Sequence, residues 1–507
     1  AWRARARPHW PVAALTAIAL AWYLFRAVAT HQRFLTTGYD LGIFDQAIRA
    51  YAHFQTPIVP LKGPGYNILG DHFHPIIAIL APLYWIWDTP LTLVVAQAIL
   101  MAATIPIVHR FARRRASQTL SLTITAAYAI GWPIQALIDF DFHEIAFAQP
   151  LLAIAIDALD RRRPRTLVIA SALLLTVRED MGVLVVLLAA LWWLQRRHDR
   201  RPPAAARAPA ILALAGIAGY LLATAVVIPH FANGDGYAYA GQYGALGDSL
   251  TQAALHTLTH PATTLHLLAT PATKLATLTY LLAPTALLAL RSRYAILAAP
   301  LLIERFLNSR ATVWGQSFHY NALPWLILIL AMTDAADRLG LCTARSGWAR
   351  RSRRALGGWL AAFPILLMIL GTNPPSPLDR FRDGAMFWDG ARVRAAQAAV
   401  AVLPPDSCVD ADSTLVPHLT PHNYVTVPHT GAQDADFVAL DTTARTVGGN
   451  DGPPPDEVLA AVEASGYQRV FHAGSLIVLR SPDYAGPSTA CGPLGAGPDA
   501  TRARGPG

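Results

Sequence analysis

Long apolar runs separated by short arginine-rich segments extend from about residue 10 to residue 372. Each run approaches the length of about 20 apolar residues that crosses a bilayer as a helix. Only 14% of the whole chain is charged, against roughly 25% in an ordinary soluble protein. We therefore predict a mainly α, polytopic membrane domain over residues 1–372, with the lipid bilayer as its surroundings.

The spacing of the runs predicts about eleven spans. The first run could be a signal peptide cleaved near Ala29, but its length and the many runs that follow favour a span. The segment 75–87 is too short to span comfortably and no basic residue follows it, so we interpret it as an interfacial helix in a long first loop, 29–89. Spans are expected at 10–28, 90–109, 118–133, 145–159, 166–177, 181–195, 209–230, 274–290, 294–307, 321–337 and 355–372.

The arginines orient this arrangement. With eleven spans, the turns on one side contain 24 of the 41 Lys and Arg residues and almost no other charged residues. This is the positive-inside pattern of cytoplasmic loops. The N-terminus is therefore expected in the cytoplasm and the C-terminal part outside. Because the basic residues flank apolar runs, the net charge of +9 does not indicate nucleic acid as a partner.

The turns predicted on the other side mix carboxylates, histidines and a few cations. Ionisable residues at membrane depth are costly and usually functional. Turns between packed helices lie close together, so we expect these residues to face one cavity. The candidates for substrate binding are Lys62, His72, His74, Asp139, Asp141, His143, Glu144, Arg178, Glu179, Asp180, Glu304, Arg305, Arg310, His319 and Tyr320.

These residues also have structural interpretations. Asp139 or Glu144 could cap a helix in a hydrated turn. The sequence Arg178-Glu179-Asp180 could be a local ion-pair cluster. His72 and His74 could stack on the aromatic residues of segment 75–87.

Two chemistries use such a set of side chains. A carboxylate beside a histidine can serve as a general base, and arginine and lysine side chains can bind a phosphate. Alternatively, a divalent metal is possible, although no spacing as diagnostic as HExxH supports it. The metal ligands would be His72, His74, Asp139, Asp141 and His143.

The ordered motifs YDLGIFDQ, GDHFHPI, DFHE, RED and FHYNALP resemble a bacterial membrane-protein family known as domain of unknown function 2079. That family is similar to the GT-C glycosyltransferases, which use polyprenyl-phosphate-linked sugars. The resemblance implies an inverting glycosyltransferase of the bacterial inner membrane. It would transfer a sugar from a polyprenyl-phosphate donor to an envelope glycan or protein on the extracytoplasmic side.

The resemblance also implies a catalytic carboxylate in the loop after the first span, where Asp40 occupies the matching position. Many GT-C enzymes have an Asp-Glu pair there, whereas this chain has Leu41 after Asp40 and its next carboxylate is Asp45. The catalytic base is therefore expected to be Asp40 or Asp45.

Two other functions compete with glycosyl transfer. A transporter or flippase of a lipid-linked or small polar substrate should have polar residues near the bilayer midplane and an internal repeat. Neither feature is visible in the sequence. The third interpretation is a non-catalytic scaffold whose external domain binds envelope partners.

The composition becomes that of a soluble protein after residue 372. Residues 373–485 are predicted to form a small extracytoplasmic α/β domain, with helices over 391–403 and 454–465 and a hairpin turning at Ala473-Gly474. We expect it to bind the acceptor or cover the cavity. Cys408 and Cys491 lie on the same predicted side and could form a disulfide or stay unpaired. Residues 486–507 are rich in glycine and proline and predicted to be disordered.

Overall fold

The computed structural model describes residues 9–199, 207–232, 239–247, 249–342, 347–370, 387, 390–428, 435–447 and 452–486. These residues form a helical bundle that ends at Leu370, followed by a small α/β unit. The predicted mainly helical class with a C-terminal α/β unit is therefore confirmed. The predicted disordered tail lies outside the described residues, apart from Gly486, and so does Cys491.

The first half of the bundle contains two of the three described helices that are long and apolar enough to cross a membrane. Basic residues close several helices of this half, as Arg110 and Arg113 do in the last turn of α4, where positive charge favours a helix C-terminus. Ser117 caps α5 by accepting a hydrogen bond from the Leu120 amide at 3.3 Å. The helices are α1 (Trp10–Gln32), α2 (Ile43–Ala52), α3 (Ala81–Tyr84), α4 (Leu91–Arg113), α5 (Gln118–Ile130), α6 (Trp132–Ile138), α7 (Ile145–Asp160), α8 (Pro164–Leu174) and α9 (Met181–His198).

The second half surrounds one central helix, α17, in which every residue from Ala322 to Ala336 is buried. Such all-round burial is typical of a helix in the middle of a large bundle. The helices of this half are α10 (Arg207–Leu222), α11 (Ile228–Phe231), α12 (Leu250–Thr259), α13 (Pro261–Ala269), α14 (Ala272–Leu282), α15 (Ala298–Leu307), α16 (Ala311–Trp314), α17 (Ala322–Arg338) and α18 (Gly347–Leu370).

Three helices in the described part of the chain are long and apolar enough to cross a membrane, or four if the bent pair α5–α6 is one span. The count of eleven spans is therefore not confirmed. A span was predicted over 274–290, but the α-helix in this run ends at Leu282. Pro284 and the positive φ angles of Ala286 and Leu287 interrupt it there. Segment 75–87 contains only a 3₁₀ turn and α3, which together are too short to be a span.

Arginine side chains at one end of the bundle, the arginine end, pair with aspartates. The predicted turns at this end contain two of these aspartates, Asp160 and Asp199. Asp157 and Asp334 lie near the ends of α7 and α17, inside the predicted spans. The pairs include Arg110–Asp157, Arg114–Asp157, Arg114–Asp160, Arg115–Asp160, Arg162–Asp199 and Arg338–Asp334.

The loops at the opposite end hold the other polar patches. α4 starts at this end, where Gln97 donates to the carbonyl oxygens of Leu137 and Asp141, at 2.9 and 3.2 Å, and accepts from the amide of His143. α7, α9 and α17 also begin at this end, because the loops at residues 139–144, 175–180 and 315–321 precede them directly. Side chains from distant parts of the chain therefore converge there.

The C-terminal unit is a five-stranded sheet in the order β2-β1-β3-β5-β4. β1 is parallel to β2 and β3, while β3, β5 and β4 pair in antiparallel fashion. One face packs on α19 and joins the core of the bundle, and the other face packs on α21. The elements are α19 (Ala391–Ala401), β1 (Cys408–Ala411), α20 (Val416–Leu419), β2 (Tyr424–Thr426), β3 (Phe437–Asp441), α21 (Pro455–Ala464), β4 (Gln468–Ala473) and β5 (Leu476–Arg480).

The cysteines differ in state. Cys408, at the start of β1, takes part in a disulfide, and Cys342 is buried and free.

Gly131, at the 42° bend between α5 and α6, provides a test of the packing around α17. A Cβ atom at this position would lie 2.4 Å from Nε1 of Trp325. We expect Gly131→Ala to lower the midpoint of thermal unfolding, at a cost of about 1–3 kcal/mol. Gly358→Ala is the matched control, because its Cβ would meet no atom within 4 Å. Equal melting of the two variants would contradict this account.

Candidate active site

A cavity lies at the end of the bundle opposite the arginine end, and most of the predicted site residues line it. Other parts of its wall are apolar, including Ile43, Phe44 and Leu301. The predicted residues in the wall are Asp40, His72, His74, His143, Arg178, Glu179, Asp180, Glu304, Arg305, Arg310, His319 and Tyr320. The predicted residues outside it are Asp45, Lys62, Asp139, Asp141 and Glu144.

Asp40 presents a partly exposed carboxylate to this cavity. It lies in a single π-helical turn, Gly38–Gly42, immediately before α2. Its side chain is 30% exposed, and its Oδ2 lies 3.5 Å from Nε2 of His143. The carboxylate is therefore accessible to a ligand and has an imidazole beside it.

Asp141 lies behind Asp40 and holds the backbone of the same turn. Its oxygens accept hydrogen bonds from the amide of Asp40 at 3.1 Å, from the amide of Thr37 at 3.1 Å, and from the Thr37 hydroxyl. Burial and the charge of Asp40 raise the pKa of Asp141 to about 7, against the lowering by these hydrogen bonds. Asp141 therefore has the position of a support for Asp40.

His143 lies between two carboxylates. Its Nδ1 is 2.6 Å from Oε2 of Glu144, a charge contact without hydrogen-bond alignment. Burial lowers the pKa of His143, but Glu144 and Asp40 outweigh burial and raise this pKa to about 10. The ring next to Asp40 is thus a cation at neutral pH. Glu144 is fully buried, and His143 and Arg178 hold its pKa well below the usual range despite that burial.

Arg178 is largely occupied by protein acceptors. Its Nε and Nη2 donate to the two oxygens of Asp180, both at 2.8 Å, and its Nη1 donates to Glu144 at 3.3 Å. The predicted local ion-pair interpretation thus describes Arg178 and Asp180 well. Each of the three guanidinium nitrogens of Arg178 thus already donates to a protein carboxylate, which leaves few N–H groups for a phosphate.

His72 is fixed from two sides. Its Nδ1 lies 2.7 Å from Oε1 of Glu179, and its ring stacks on Tyr239 with centroids 4.5 Å apart. Tyr239 also donates to Asp71 at 2.7 Å, and Asp71 pairs with Lys62 at 2.7 Å. Lys62 therefore acts on the cavity wall through Asp71 and Tyr239.

Asp45 and Asp139 have structural partners away from the cavity. Asp45 is completely buried, accepts from Tyr84 at 2.7 Å and pairs with Arg49 at 3.2 Å. Asp139 pairs with the fully buried Arg26 and thereby ties the end of α6 to α1. Of the two candidate bases, only Asp40 reaches the cavity.

Arg305, Arg310 and His319 form the part of the wall with unused hydrogen-bonding capacity. Arg305 donates Nε to the carbonyl oxygen of Val313 and Nη1 to that of Tyr320, both at 2.8 Å, while its Nη2 has no hydrogen-bond partner. Arg310 is exposed, and neither arginine forms an ion pair among the described residues. Arg310 is thus the exposed cation of this part of the wall, and the unpaired Nη2 atom of Arg305 is buried.

His319 is buried, and neither of its ring nitrogens has a hydrogen-bond partner in the described structure. It stacks on His143 with ring centroids 3.6 Å apart. Burial, together with the charge of His143, holds the pKa of His319 well below its usual range. The His319 ring is thus a neutral group that can donate one hydrogen bond and accept another.

Sequence reasoning missed several lining residues. Tyr243 donates to Glu304 at 3.2 Å, and Asn308 donates to Gln242 at 2.8 Å. These uncharged residues follow α11 or lie after α15, and only the spacing of tyrosines in GYAYAGQYG could have drawn attention to them. Among the described residues, no group of three or more His, Cys, Asp or Glu side chains is placed to hold a metal ion.

The pair His72–Glu179 makes stability depend on pH. Burial lowers the pKa of His72, but Glu179 raises it above 6.5 overall, and His72 lowers the pKa of Glu179 from 4.5 to about 2. The pair therefore stabilises the fold fully between pH 4.5 and 6.5, and its contribution is lost as pH rises through the folded pKa of His72.

We expect Glu179→Gln to lower the thermal midpoint most in that window and less at alkaline pH. Melting curves across the pH range measure this. Glu463→Gln, which removes an exposed ion pair with Arg469, is the control with no such dependence. A constant difference between wild type and Glu179→Gln at all pH values would refute the assignment.

The fold is similar to that of a solved structure, ArnT from Cupriavidus metallidurans bound to undecaprenyl phosphate. The TM-score is 0.50 and the identity 13%, over 95% of this chain and 100% of that chain. At this identity the likeness concerns the fold alone. None of the curated proteins matches the sequence significantly.

The predicted family resemblance is confirmed. The sequence model of the family described as "Predicted membrane protein (DUF2079)" matches residues 30–451, which is most of the chain and includes all the motifs around the cavity. This chain belongs to the DUF2079 family of predicted membrane proteins.

Proposed function

We propose that this protein is a membrane glycosyltransferase of the GT-C type, which transfers a sugar from a polyprenyl-phosphate donor to an envelope glycan or protein. The observation that carries the proposal is the cavity itself. It combines a partly exposed carboxylate beside an imidazole, Asp40 with His143, with a cationic wall at Arg305 and Arg310. The likeness in fold to ArnT, a GT-C glycosyltransferase whose structure holds undecaprenyl phosphate, supports the same class of donor.

Asp40 is the proposed general base. It accepts the proton of the acceptor hydroxyl while the acceptor oxygen attacks the anomeric carbon of the donor sugar. The bond from this carbon to the phosphate oxygen breaks, and the polyprenyl phosphate leaves with the bonding electrons. The sugar is transferred with inversion, and the proton passes from Asp40 to solvent.

Two neighbours would keep Asp40 in place for this step. Asp141 holds its amide, and the His143 cation lies 3.5 Å from its carboxylate. Asp45, which the sequence left as an alternative base, is buried against Tyr84 and Arg49. A general base must reach the proton that it removes, so we assign the role to Asp40.

Arg305, Arg310 and His319 are proposed to bind the donor phosphate. Arginine donors aimed at an anion form charge-assisted hydrogen bonds, and the neutral His319 can donate one more. Tyr320 interacts electrostatically with Asp40, Arg305 and Arg310. The guanidinium carbon of Arg305 lies 5.4 Å from the centroid of the Tyr320 ring.

We also infer the orientation. Positive charge prefers the cytoplasmic side of a bilayer, so the arginine end and the N-terminus would lie in the cytoplasm. After about eleven crossings, the cavity and the C-terminal unit would lie on the extracytoplasmic side. Polyprenyl-linked donors would then enter the cavity from the outer leaflet.

We expect Asp40→Asn to reduce sugar transfer by roughly 10²–10⁴-fold, the range that general-base catalysis contributes. Asp45→Asn should instead lower stability, because its partners lose a buried charge. The assay incubates purified protein with labelled polyprenyl-phosphate sugars and an envelope-glycan extract and measures released polyprenyl phosphate. Asp199→Asn, at the arginine end, is the control. The proposal is refuted if Asp40→Asn releases polyprenyl phosphate at the wild-type rate, or if the wild-type protein releases none. Movement of the labelled donor across the membrane of proteoliposomes would favour a transporter.

Arg310→Gln and Arg305→Lys should each weaken binding of undecaprenyl phosphate by about tenfold, which corresponds to roughly 1.4 kcal/mol. Equilibrium binding to the purified protein measures this without requiring an acceptor. Arg162→Gln is the matched control, since Arg162 is exposed and pairs with Asp199 at the arginine end. If Arg310→Gln and Arg305→Lys bind undecaprenyl phosphate as tightly as the control Arg162→Gln, this part of the wall is excluded as the phosphate site.

A further inference from the structure

The turn that carries Asp40 is in contact with the C-terminal unit. The amide of Gly38 donates to the carbonyl oxygen of Ser413 at 2.7 Å and lies 3.2 Å from the Ser413 hydroxyl. Ser413 belongs to the connection between β1 and α20. The C-terminal unit therefore binds the turn on one side, while Asp141 of the bundle binds it on another.

Val416, the first residue of α20, covers the two glycines of the turn. A Cβ atom on Gly38 would lie 3.2 Å from Cβ, Cγ1 and Cγ2 of Val416. A Cβ atom on Gly42 would lie 2.7 Å from Cγ1 of Val416 and 2.9 Å from Cδ1 of Leu61. Glycine at both positions is thus what lets α20 approach this closely.

Further contacts extend the same interface on either side of the turn. Gln46 donates to the carbonyl oxygen of Val425 at 2.8 Å. The ring of His418 stacks on Phe34 with centroids 3.8 Å apart. The C-terminal unit therefore contacts the chain from just after α1 to the first turns of α2.

The described residues of the C-terminal unit, 390–428, 435–447 and 452–486, do not line the cavity. The expectation that this unit binds the acceptor or covers the cavity has no support in that lining. The contacts of these described residues with the turn are therefore the route by which they can act on Asp40.

We propose that the C-terminal unit is a positioning device for the general base, and that Ser413 and Val416 are the residues through which it fixes Asp40. This inference rests on the proposed function only for the role of Asp40. Reacting groups must be held to within a fraction of an ångström, and a displacement of about 1 Å can cost on the order of 10²-fold in rate. Support from both sides of the turn provides that restraint.

The test is a double-mutant cycle at the contact between Gly42 and Val416. Gly42 has φ −62° and ψ −41°, which alanine adopts without strain, so Gly42→Ala disturbs the turn only through the clash. Val416→Ala removes the methyl group that causes the closest contact. The variants are Gly42→Ala, Val416→Ala and the double variant, with Gly358→Ala as a control in α18.

We expect Gly42→Ala to lower kcat by roughly 10- to 100-fold. The KM for the donor and the affinity for undecaprenyl phosphate should stay at wild-type values. The double variant should recover part of the lost rate, since the added methyl group then has the space left by valine, while Cδ1 of Leu61 still lies 2.9 Å from it. If the double variant is no faster than Gly42→Ala, or if the change falls on donor affinity instead of kcat, the positioning role is refuted.

Hydrogen exchange of the full-length protein decides the structural part without catalysis. Amides of residues 37–42 should exchange faster in Gly42→Ala and in Val416→Ala, and return toward wild-type rates in the double variant. Unchanged exchange in both single variants would overturn the proposal even if sugar transfer is found. If exchange changes as expected but the wild-type protein transfers no sugar, the proposed function is refuted, while the restraint of the turn by the C-terminal unit is supported.

Discussion

The structure depends on one constraint, the cost of leaving a charged group unpaired where water is scarce. At the arginine end this cost is met by aspartates in the last helical turns, such as Asp157, which pairs with three arginines, and Asp160, which pairs with two. Around the cavity the same rule accounts for Arg178 with Asp180 and for His72 with Glu179. The exceptions therefore indicate where a ligand would complete the pairing.

The exceptions lie together. Asp40 has only the 3.5 Å contact with His143 as an ion pair, Arg305 has a guanidinium nitrogen without a partner, and His319 has neither of its nitrogens bonded. A substrate with a hydroxyl to give up a proton and a phosphate to be bound would satisfy all three. Buried polar atoms without a hydrogen-bond partner also occur elsewhere, as at Ser171 and His256, but Asp40, Arg305 and His319 line one cavity, which distinguishes a site from a hydrated turn.

Part of this site was predictable from sequence, because the order of spans and turns fixes which turns share an end of the bundle. Turns between consecutive spans fall at alternate ends of a bundle, so motifs as far apart as His72 and His319 had to meet. The number of spans was not predictable in the same way. α8 and α15 are short, and residues 283–297 form 3₁₀ turns in place of the expected long helices. Apolar composition does not reveal where a helix breaks inside a protein core.

The choice between Asp40 and Asp45 depended on tertiary structure. Their five-residue spacing places them on different sides of the start of α2, but only the packing of Tyr84 against Asp45 decides which side is buried. The tyrosine comes from segment 75–87, which the sequence had assigned to the membrane interface. The uncharged lining residue Gln242 was missed because its position depends on partners such as Asn308, far away in sequence.

The support of Asp40 ties the two parts of the chain together. Its turn is held by Asp141, 104 residues beyond Thr37, and by Ser413, 375 residues beyond Gly38. A hydrogen bond contributes about 0.5–1.5 kcal/mol between neutral groups and about 1.5–3 kcal/mol to a charged one. The bonds to Asp141, whose pKa is about 7, fall within this range and restrain the turn from one side. Packing of Val416 against glycine restrains it from the other side. A chain cut after the bundle would keep every cavity-lining residue that the structure describes, and it would lose the contacts of Ser413 and Val416 with the turn of Asp40.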